Sequence, residues 1–156
     1  MSGSLNYRPV TLMIVVVLSG VTGFAGVVIG VPGPVDYSRG EPLRLPNLPV
    51  WEGHVSARQL SDELGLSALL ANDADLAALG EHRYGAGRGS RDMVYVTAST
   101  GVGAGVIVGG KLLHGRLSLA EIGHTIIDRA TGDTVEYLGS GTALARLAGE
   151  DPGSVA

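Results

Sequence analysis

Residues 9–35 contain no charged residue, and this constrains the fold more than any other feature of the chain. Within this stretch, residues 12–18 are seven consecutive apolar residues. A charge-free run of about 18 or more apolar residues can span a membrane, and a shorter run after a basic residue resembles a signal peptide. The consecutive Val15, Val16 and Val17 equally suit a strand that is buried on both faces.

Turn-forming residues divide this stretch and favour the strand interpretation. Ser19-Gly20 and Thr22-Gly23 are typical of turns. Residues 26–31 predict a second buried strand, and Pro32 and Pro34 would end any helix there. We therefore expect a pair of buried strands, with a membrane or signal segment over residues 9–31 as the alternative.

Composition excludes several classes of function. The 156 residues suffice for one modest domain or for parts of two. The absence of cysteine rules out disulfides, thiolate zinc ligands and a cysteine nucleophile. A net charge of −4 without a basic stripe argues against nucleic acid as a partner. The same features are compatible with a cytoplasmic protein.

Helix and strand patterns alternate after residue 55. Ser56 and Gln59 have the spacing of a capping box, and Gly65 marks the end of that helix. A short strand over residues 66–71 and a helix over residues 74–84 follow. The remaining predicted elements are strands at 93–98 and 105–108, a tight Gly109-Gly110 hairpin into 111–113, and a strand containing Ile126 and Ile127.

Leucines supply most of the side chains that we expect to face inward on the later helices. They are Leu76 and Leu79 in the helix over residues 74–84, and Leu138, Leu144 and Leu147 in a closing helix capped by Thr134. The order of elements, with strands and helices alternating before a hairpin and a last helix, indicates an α/β or α+β layer fold.

The segment 99–105 (STGVGAG) lies between two predicted strands. Its glycines leave backbone N–H groups free of Cβ obstruction, and Thr100 adds a hydroxyl donor, so the segment can bind phosphate. No helix follows, which excludes a P-loop and a dinucleotide fingerprint. A purely structural glycine-rich hairpin is the alternative.

Two further groups of residues can carry chemistry. Asp73 follows a strand at the edge where α/β proteins bind ligands, and its carboxylate can accept a proton from a hydroxyl. Its alternative role is to cap the next helix. Glu121 and His124, three residues apart, can present paired donors and acceptors to a polyol; the alternative is a surface Glu and a core-bound His.

Five short segments together resemble the ROK family of repressors, open reading frames and kinases. They are residues 31–36 (VPGPVD), 46–49 (PNLP) with Trp51, 72–74 (NDA), 100–105 (TGVGAG) and 120–124 (AEIGH). Each segment is weak alone, but all five occur in the family's order and rough spacing. The resemblance extends over residues 26–149.

The resemblance implies an α/β fold of the actin-like ATPase (ribonuclease H-like) type, incomplete, with mixed sheets flanked by helices. Residues 1–25 would be an atypical apolar N-terminal segment. Residues 26–73 would be a remnant of the N-terminal lobe, and residues 74–156 the start of the C-terminal lobe.

The resemblance further implies ATP-dependent phosphorylation of a hexose such as glucose, with Mg²⁺ accompanying ATP. Asp73 matches the family's general base. The implied sugar-binding residues are Asn72, Gly33, Glu121, His124 and Glu136. The implied ATP-phosphate contacts are Thr100, Gly101 and Gly103. A homo-oligomer is compatible with these assignments.

The chain departs from the family pattern in several places. Many members have a Cys-rich zinc motif that would fall in residues 125–135, where this chain has no Cys, so we expect no zinc. No Asp- and Gly-rich phosphate hairpin precedes Gly26, and Ser99 replaces a more usual glycine. The family also continues beyond the position of Ala156. We therefore expect a kinase sequence truncated at both ends and weak when tested alone.

Two other functions remain possible from the sequence. A sugar-responsive transcriptional regulator has the same body, although the first 25 residues, apolar and with a single Arg, do not supply a helix-turn-helix. A non-enzymatic sugar-binding remnant, attached to a membrane through residues 9–31, is the other.

Overall fold

The computed structural model describes residues 14–18, 24–45, 53–115 and 120–149. Within these ranges the chain forms small β-sheets flanked by helices, which confirms the predicted α/β class. The strands are β1 Ile14–Leu18, β2 Phe24–Val31, β3 Val35–Asp36, β4 Glu41–Pro42, β5 Ala68–Asn72, β6 Met93–Ala98, β7 Val102–Val108 and β8 Lys111–Leu112. The α-helices are α1 Ala57–Leu64, α2 Asp73–Tyr84, α3 Val135–Gly139 and α4 Gly141–Ala148, with a 3-10 helix at Ile122–His124.

The first sheet has the order β1-β2-β5. Strand β2 runs antiparallel to β1 and parallel to β5, with Val31 opposite Asn72. The predicted pair of strands is therefore confirmed, while the predicted turn at residues 19–23 lies outside the described residues. None of the helices in the described ranges is long and apolar enough to cross a membrane.

Large aliphatic side chains build the core around this sheet. The buried members are Val27, Ile29, Val31, Val35, Leu45, Ala68 and Leu70. Helix α1 packs on them through Ala57 and Leu60. As the capping box predicted, the Ser56 hydroxyl accepts from the Gln59 N–H at 3.2 Å, and α1 ends at Gly65 in the left-handed conformation.

Helix α2 begins at Asp73, one residue earlier than predicted, and lies across β7 rather than on the first core. Leu76 and Leu79, which were predicted to face inward, are only partly buried, and the buried apolar side chains of α2 are Ala74 and Ala78. The cause is the close approach of helix and strand. A Cβ on Gly105 would lie 2.5 Å from the Ala78 Cβ, so only small side chains fit between them.

Strands β6, β7 and β8 form an antiparallel sheet. Strand β7 starts at Val102, before the predicted residue 105, and pairs with β6 along its length. The predicted hairpin between β7 and β8 is confirmed. Gly109 and Gly110 both have positive φ, 59° and 78°, which a two-residue turn matching the strand twist requires.

Two predictions about residues 126–148 are wrong. Ile126 forms only an isolated bridge to Thr134, so no strand exists there, and Ile127 is exposed. Thr134 does cap the closing helix, as predicted, but Ser140 divides that helix into α3 and α4.

The predicted inward-facing leucines of this last segment, Leu138, Leu144 and Leu147, are exposed. Ala143 and Ala145 are buried in their place. The reason is again close packing. The N–H of Gly141 donates to the Ser99 carbonyl at 2.6 Å, and a Cβ on Gly141 would lie 2.8 Å from that oxygen. The start of α4 therefore admits only small side chains against the glycine-rich turn.

Candidate functional site

Asn72 occupies the carboxyl end of β5, beside the end of the parallel strand β2. Its buried side chain donates from Nδ2 to the Gly33 carbonyl at 3.0 Å. Its Oδ1 accepts from the Asp75 N–H at 3.1 Å, which caps helix α2. An asparagine amide has two N–H donors and two acceptor lone pairs, so one of each is left for a ligand. Asn72 thus joins Gly33 to the start of α2.

Asp73 is the first residue of α2 and not its cap, so the interpretation of Asp73 as a simple capping residue is wrong. Its Oδ1 accepts from the Ala74 N–H at 2.9 Å. Burial raises the pKa of the Asp73 carboxyl, and the Ala74 hydrogen bond acts in the opposite direction. A carboxylate with a raised pKa is a better proton acceptor than an ordinary aspartate.

The glycine-rich turn, residues 99–101, joins β6 to β7 at the same end of α2 as Asp73. A Cβ on Gly103 would lie 3.2 Å from the Ala74 Cβ, which fixes this proximity. Within the turn the Ser99 N–H donates to the Gly101 carbonyl at 2.8 Å. The Thr142 hydroxyl donates to the Thr100 carbonyl at 2.8 Å, so α4 holds the turn from outside.

Packing accounts for at least two of the glycines in this segment. Gly103 and Gly105 face α2, and Gly101 faces the carboxylate of Glu136. These contacts favour the structural explanation for the glycine pattern at positions 103 and 105. The phosphate-binding role of Thr100, Gly101 and Gly103 stays a prediction, and Thr100 itself is exposed.

Glu121 precedes the short 3-10 helix, and His124 is the last residue of that helix. Glu121 Oε2 and His124 Nε2 are 3.9 Å apart. The His124 side chain is 72% exposed, so the interpretation of a core-bound histidine is wrong. Gly123 is buried against the carbonyl of Val102, which places this helix beside the glycine-rich turn.

The acidic side chains influence one another. Burial raises the pKa of Glu121, and the neighbouring His124 opposes this. The negative charges of Asp73, Asp75 and Glu136 raise it further. A Cβ on Gly123 would lie 3.3 Å from Glu136 Oε2, so Glu136 also lies beside the 3-10 helix that follows Glu121. The action of the Asp73 charge on Glu121 agrees with a common location near the N-terminal end of α2.

Glu136 makes a contact that sequence reasoning missed. Its Oε2 accepts from the Val102 N–H at 2.9 Å, which links α3 to the first residue of β7. No local pattern signals such a contact between residues 34 apart along the chain. The carboxylate keeps lone pairs for a second partner, so the predicted sugar contact remains compatible with this bond.

Tyr37 and Asp75 are also absent from the predicted site. The Tyr37 hydroxyl donates to Asp75 Oδ2 at 2.8 Å. Burial raises the pKa of Asp75, and the hydrogen bond from Tyr37 opposes that rise. The three-residue spacing of Asn72 and Asp75 is a capping signal that could have found Asp75. No local pattern marks Tyr37.

The assembled groups can bind a polyhydroxylated ligand. Asn72 is hydrogen-bonded to Gly33, Glu121 lies 3.9 Å from His124, and the charges of Asp73 and Glu136 act on Glu121. Carboxylates accept hydrogen bonds from hydroxyls, whereas the amide and the imidazole can also donate. Within the described ranges, no group of three His, Asp or Glu side chains is placed to hold a metal ion.

The sequence of the chain is similar to that of a known protein family and of several individual proteins. Residues 11–155 match the ROK family, and the match begins earlier than Gly26, where the resemblance in the motifs begins. A glucokinase of Thermotoga maritima is 36% identical over 127 residues, which are 76% of this chain and 40% of that protein. A putative xylose repressor of a Caldicellulosiruptor species is 36% identical over 107 residues, 68% of this chain and 27% of that protein.

A solved structure resembles the chain over the same region. It is a ROK family glucokinase from Streptomyces griseus in complex with glucose and AMPPNP. The TM-score is 0.73 at 36% identity, and the match covers 81% of this chain and 43% of that one. The chain therefore spans less than half the length of the glucokinases it resembles.

Proposed function

The chain belongs to the ROK family, and we propose that its site binds a hexose such as glucose for phosphorylation by ATP. Its fold is part of the actin-like fold of the ROK sugar kinases. The proposed lobe boundary lies at the start of α2, between residues 73 and 74. A cytoplasmic location is part of the same proposal, because ATP is the proposed phosphate donor.

The convergence of Asp73, Asn72 and Glu121 at the N-terminal end of α2 is the observation that carries the proposal. Asn72 Nδ2 and the Gly33 carbonyl are 3.0 Å apart, and the negative charge of Asp73 contributes to the raised pKa of Glu121. The 3-10 helix after Glu121 packs through Gly123 on the Val102 carbonyl, next to the glycine-rich turn. A hexose presents several hydroxyls in fixed directions, so its recognition needs acceptors and donors on more than one side. The site supplies both.

Asp73 is proposed as the general base. As the sugar hydroxyl oxygen attacks the γ-phosphorus of ATP, the hydroxyl proton moves to the Asp73 carboxylate and ADP leaves. The raised pKa of Asp73 suits this proton transfer. Asn72, Glu121, His124 and Glu136 are proposed to orient the hexose.

The turn at residues 99–101 is proposed to contact the ATP phosphates through Thr100 and nearby backbone N–H groups. Its position at the Asp73 end of α2 supports this, since the phosphoryl donor must reach the base-activated hydroxyl. Mg²⁺ bound to the phosphates would neutralise charge that develops during transfer. The described residues offer no three-ligand protein site, which fits an ion carried mainly by the nucleotide.

The main test separates binding from chemistry. Glucose binding is measured by calorimetry, and ADP release by a coupled assay, for the wild-type chain, Asp73→Asn and Glu121→Gln. We expect Glu121→Gln to weaken glucose binding. Asp73→Asn should keep binding within a few-fold of wild type and lower any ADP release by about 10²–10⁴-fold. Binding is the primary readout, because the chain spans less than half of the glucokinases it resembles.

Asp62→Asn provides the matched control. It makes the same chemical change on the exposed surface of α1 and should alter neither measurement. The proposal fails if wild type binds no glucose, mannose or N-acetylmannosamine, or if Asp62→Asn weakens binding as much as Glu121→Gln.

A sugar-responsive regulator is the second candidate, because a putative xylose repressor is among the similar proteins. It predicts sugar binding without phosphoryl transfer. ADP release that depends on sugar and is lowered by Asp73→Asn would exclude this second function.

A further inference from the structure

The side chain of Tyr37 connects two parts of the chain that the proposed site needs together. Its hydroxyl donates to Asp75 Oδ2 at 2.8 Å and accepts from the Asn72 backbone N–H at 3.3 Å. Tyr37 follows β3, whereas Asn72 and Asp75 lie at the start of α2. One phenol oxygen therefore joins segments that are 38 residues apart along the chain.

The turn that presents Tyr37 is itself fixed. The Asp36 carboxylate accepts from the Ser38 hydroxyl at 2.6 Å and from the Arg39 N–H at 3.2 Å. These hydrogen bonds, led by the one from Ser38, hold the pKa of Asp36 below its ordinary value. The Gly40 N–H donates to the Asp36 carbonyl at 2.8 Å. Tyr37 is thus held on a tight turn rather than on a free loop.

Asp75 is an unusual residue for its position. Only 5% of its surface is exposed, and a buried carboxylate is costly unless hydrogen bonds compensate for lost water. Tyr37 supplies one such bond. The ring of His114 lies against Tyr37 with centroids 4.7 Å apart, and a protonated His114 would favour the ionised form of Asp75. The ionisable groups near Asp75 include Tyr37, His114, Asp73 and Glu121.

A closed set of contacts results. The Gly33 carbonyl accepts a hydrogen bond from the Asn72 side chain. The Tyr37 hydroxyl, four positions further along the chain than Gly33, accepts one from the Asn72 backbone N–H. The Asp75 carboxylate accepts a hydrogen bond from the Tyr37 hydroxyl, and the Asp75 backbone N–H donates one to Asn72 Oδ1. Each of the three groups around Asn72 limits its movement in a different direction.

We propose that Tyr37 and Asp75 are positioning residues for the sugar site. They act through Asn72 and hold Gly33, Asn72 and Asp73 in the arrangement that a hexose recognises. This inference rests on the proposed function. Neither residue needs to touch the sugar, so their effect differs from that of Glu121 or His124.

The test uses two substitutions that change one contact with little change of shape. Tyr37→Phe removes only the hydroxyl. Asp75→Asn keeps an acceptor for Tyr37 but removes the charge. Glucose affinity is measured by calorimetry at a temperature where circular dichroism shows each variant to be fully folded. We expect Tyr37→Phe to weaken glucose binding about tenfold, and Asp75→Asn to weaken it less.

A stability control separates positioning from general weakening of the fold. Ile29→Val removes one methylene from the buried core against which Tyr37 also packs, but it removes no hydrogen-bonding group of the pair. It should lower the melting temperature and leave glucose affinity unchanged. The double variant Tyr37→Phe with Asp75→Asn should weaken binding less than the two single effects combined, because both disturb one contact.

The outcomes are distinct. If the wild-type chain binds no hexose, both the proposed function and the positioning role are wrong. If wild type binds glucose but Tyr37→Phe binds equally well, the positioning role is wrong and the proposed function stands. Equal loss of affinity in Ile29→Val, or fully additive effects in the double variant, also overturns the positioning role.

Discussion

The two packed regions of this chain use opposite kinds of side chains. Around β2 and β5 the core consists of large aliphatic residues, with Val31, Val35 and Leu45 fully buried. Between α2, β7 and α4 most buried residues are alanine or glycine, with Val102 and Ile107 as the larger exceptions, and several large apolar side chains are exposed. Side-chain hydrophobicity alone therefore does not decide burial here. In the second region the distance between backbones decides it.

Close packing of the backbones in the second region also matters for the proposed site. The second region carries the glycine-rich turn and the start of α2, and both must reach the same ligand in the proposed site. Gly103 and Gly105 let the helix approach β7 closely, which brings residues 99–101 to the Asp73 end of α2. Larger side chains would force these elements apart.

The largest expected effect contrasts one leucine from each region. Leu70 is 4% exposed in the aliphatic core, so Leu70→Ala should lower the free energy of unfolding by about 2–5 kcal/mol. Leu144 is 61% exposed, so Leu144→Ala should change it by less than about 0.5 kcal/mol. Urea unfolding followed by circular dichroism measures both. Equal losses would remove the distinction between the regions.

The second prediction concerns a glycine at the helix–strand contact. Gly105→Ala should cost about 1–3 kcal/mol, because its Cβ would lie 2.5 Å from the Ala78 Cβ and 2.9 Å from the Ala74 carbonyl oxygen. Gly80→Ala is the control, since Gly80 is inside α2 and a Cβ added to it would meet nothing within 4 Å. It should stabilise the chain by up to about 1 kcal/mol. A neutral Gly105→Ala, measured by the same urea unfolding, would contradict the close packing.

Asn72 lies where the two regions meet, and its loss should cost more than the loss of an ordinary helix cap. Asn72→Ala removes the cap of α2 and leaves the Gly33 carbonyl without its Asn72 donor, so we expect a loss of about 2 kcal/mol. Ser56→Ala, which removes the more exposed cap of α1, should cost about 1 kcal/mol or less. Comparable losses in thermal unfolding would argue that Asn72 does not join the regions.

The smallest expected effect is electrostatic and depends on pH. Because the folded-state pKa of Glu121 is raised, the folded chain keeps this proton to higher pH than the unfolded chain. Ionisation of Glu121 therefore lowers stability as pH rises above the ordinary glutamate pKa, and the cost persists at neutral pH. Glu121→Gln should stabilise the chain at pH 7 by less than about 1 kcal/mol.

The pH profile provides the decisive measurement for Glu121. The gain from Glu121→Gln should vanish near pH 3, where the wild-type side chain is protonated in both states. A gain that is equal at pH 3 and pH 7 would show that charge is not its cause. Asp62→Asn, an acid-to-amide change on the exposed surface of α1, is again the control.

The sequence predicted the elements of the first region well because its signals are local. Consecutive β-branched residues, the Ser56 capping box and Gly65 each depend on a few neighbouring positions. The same approach assigned Leu76 and Leu144 to the interior, where the structure leaves them partly or largely exposed. Their positions depend on which strand the helix meets and how closely, and no local pattern contains that information.

The residues of the candidate site likewise fall into those that a local sequence pattern predicts and those that it does not. The Asn72-Asp73 pair lies at a strand end that the sequence marks clearly. The hydrogen bonds from Tyr37 to Asp75 and from Val102 to Glu136 join distant segments, so only the folded chain reveals them. The pattern also could not tell a capping Asn72 from a capping Asp73, because both residues are good helix caps.

The parallel pairing of β2 with β5 has a consequence for how the chain folds. Gly33 and Asn72 are 39 residues apart along the chain, so a long loop must close before they meet. Closing such a loop costs entropy before any contact repays it, and non-local strand pairing of this kind folds slowly. The proposed hexose site should therefore be among the last features to form. Recovery of glucose binding during refolding would then follow the slowest kinetic phase rather than the early appearance of helix.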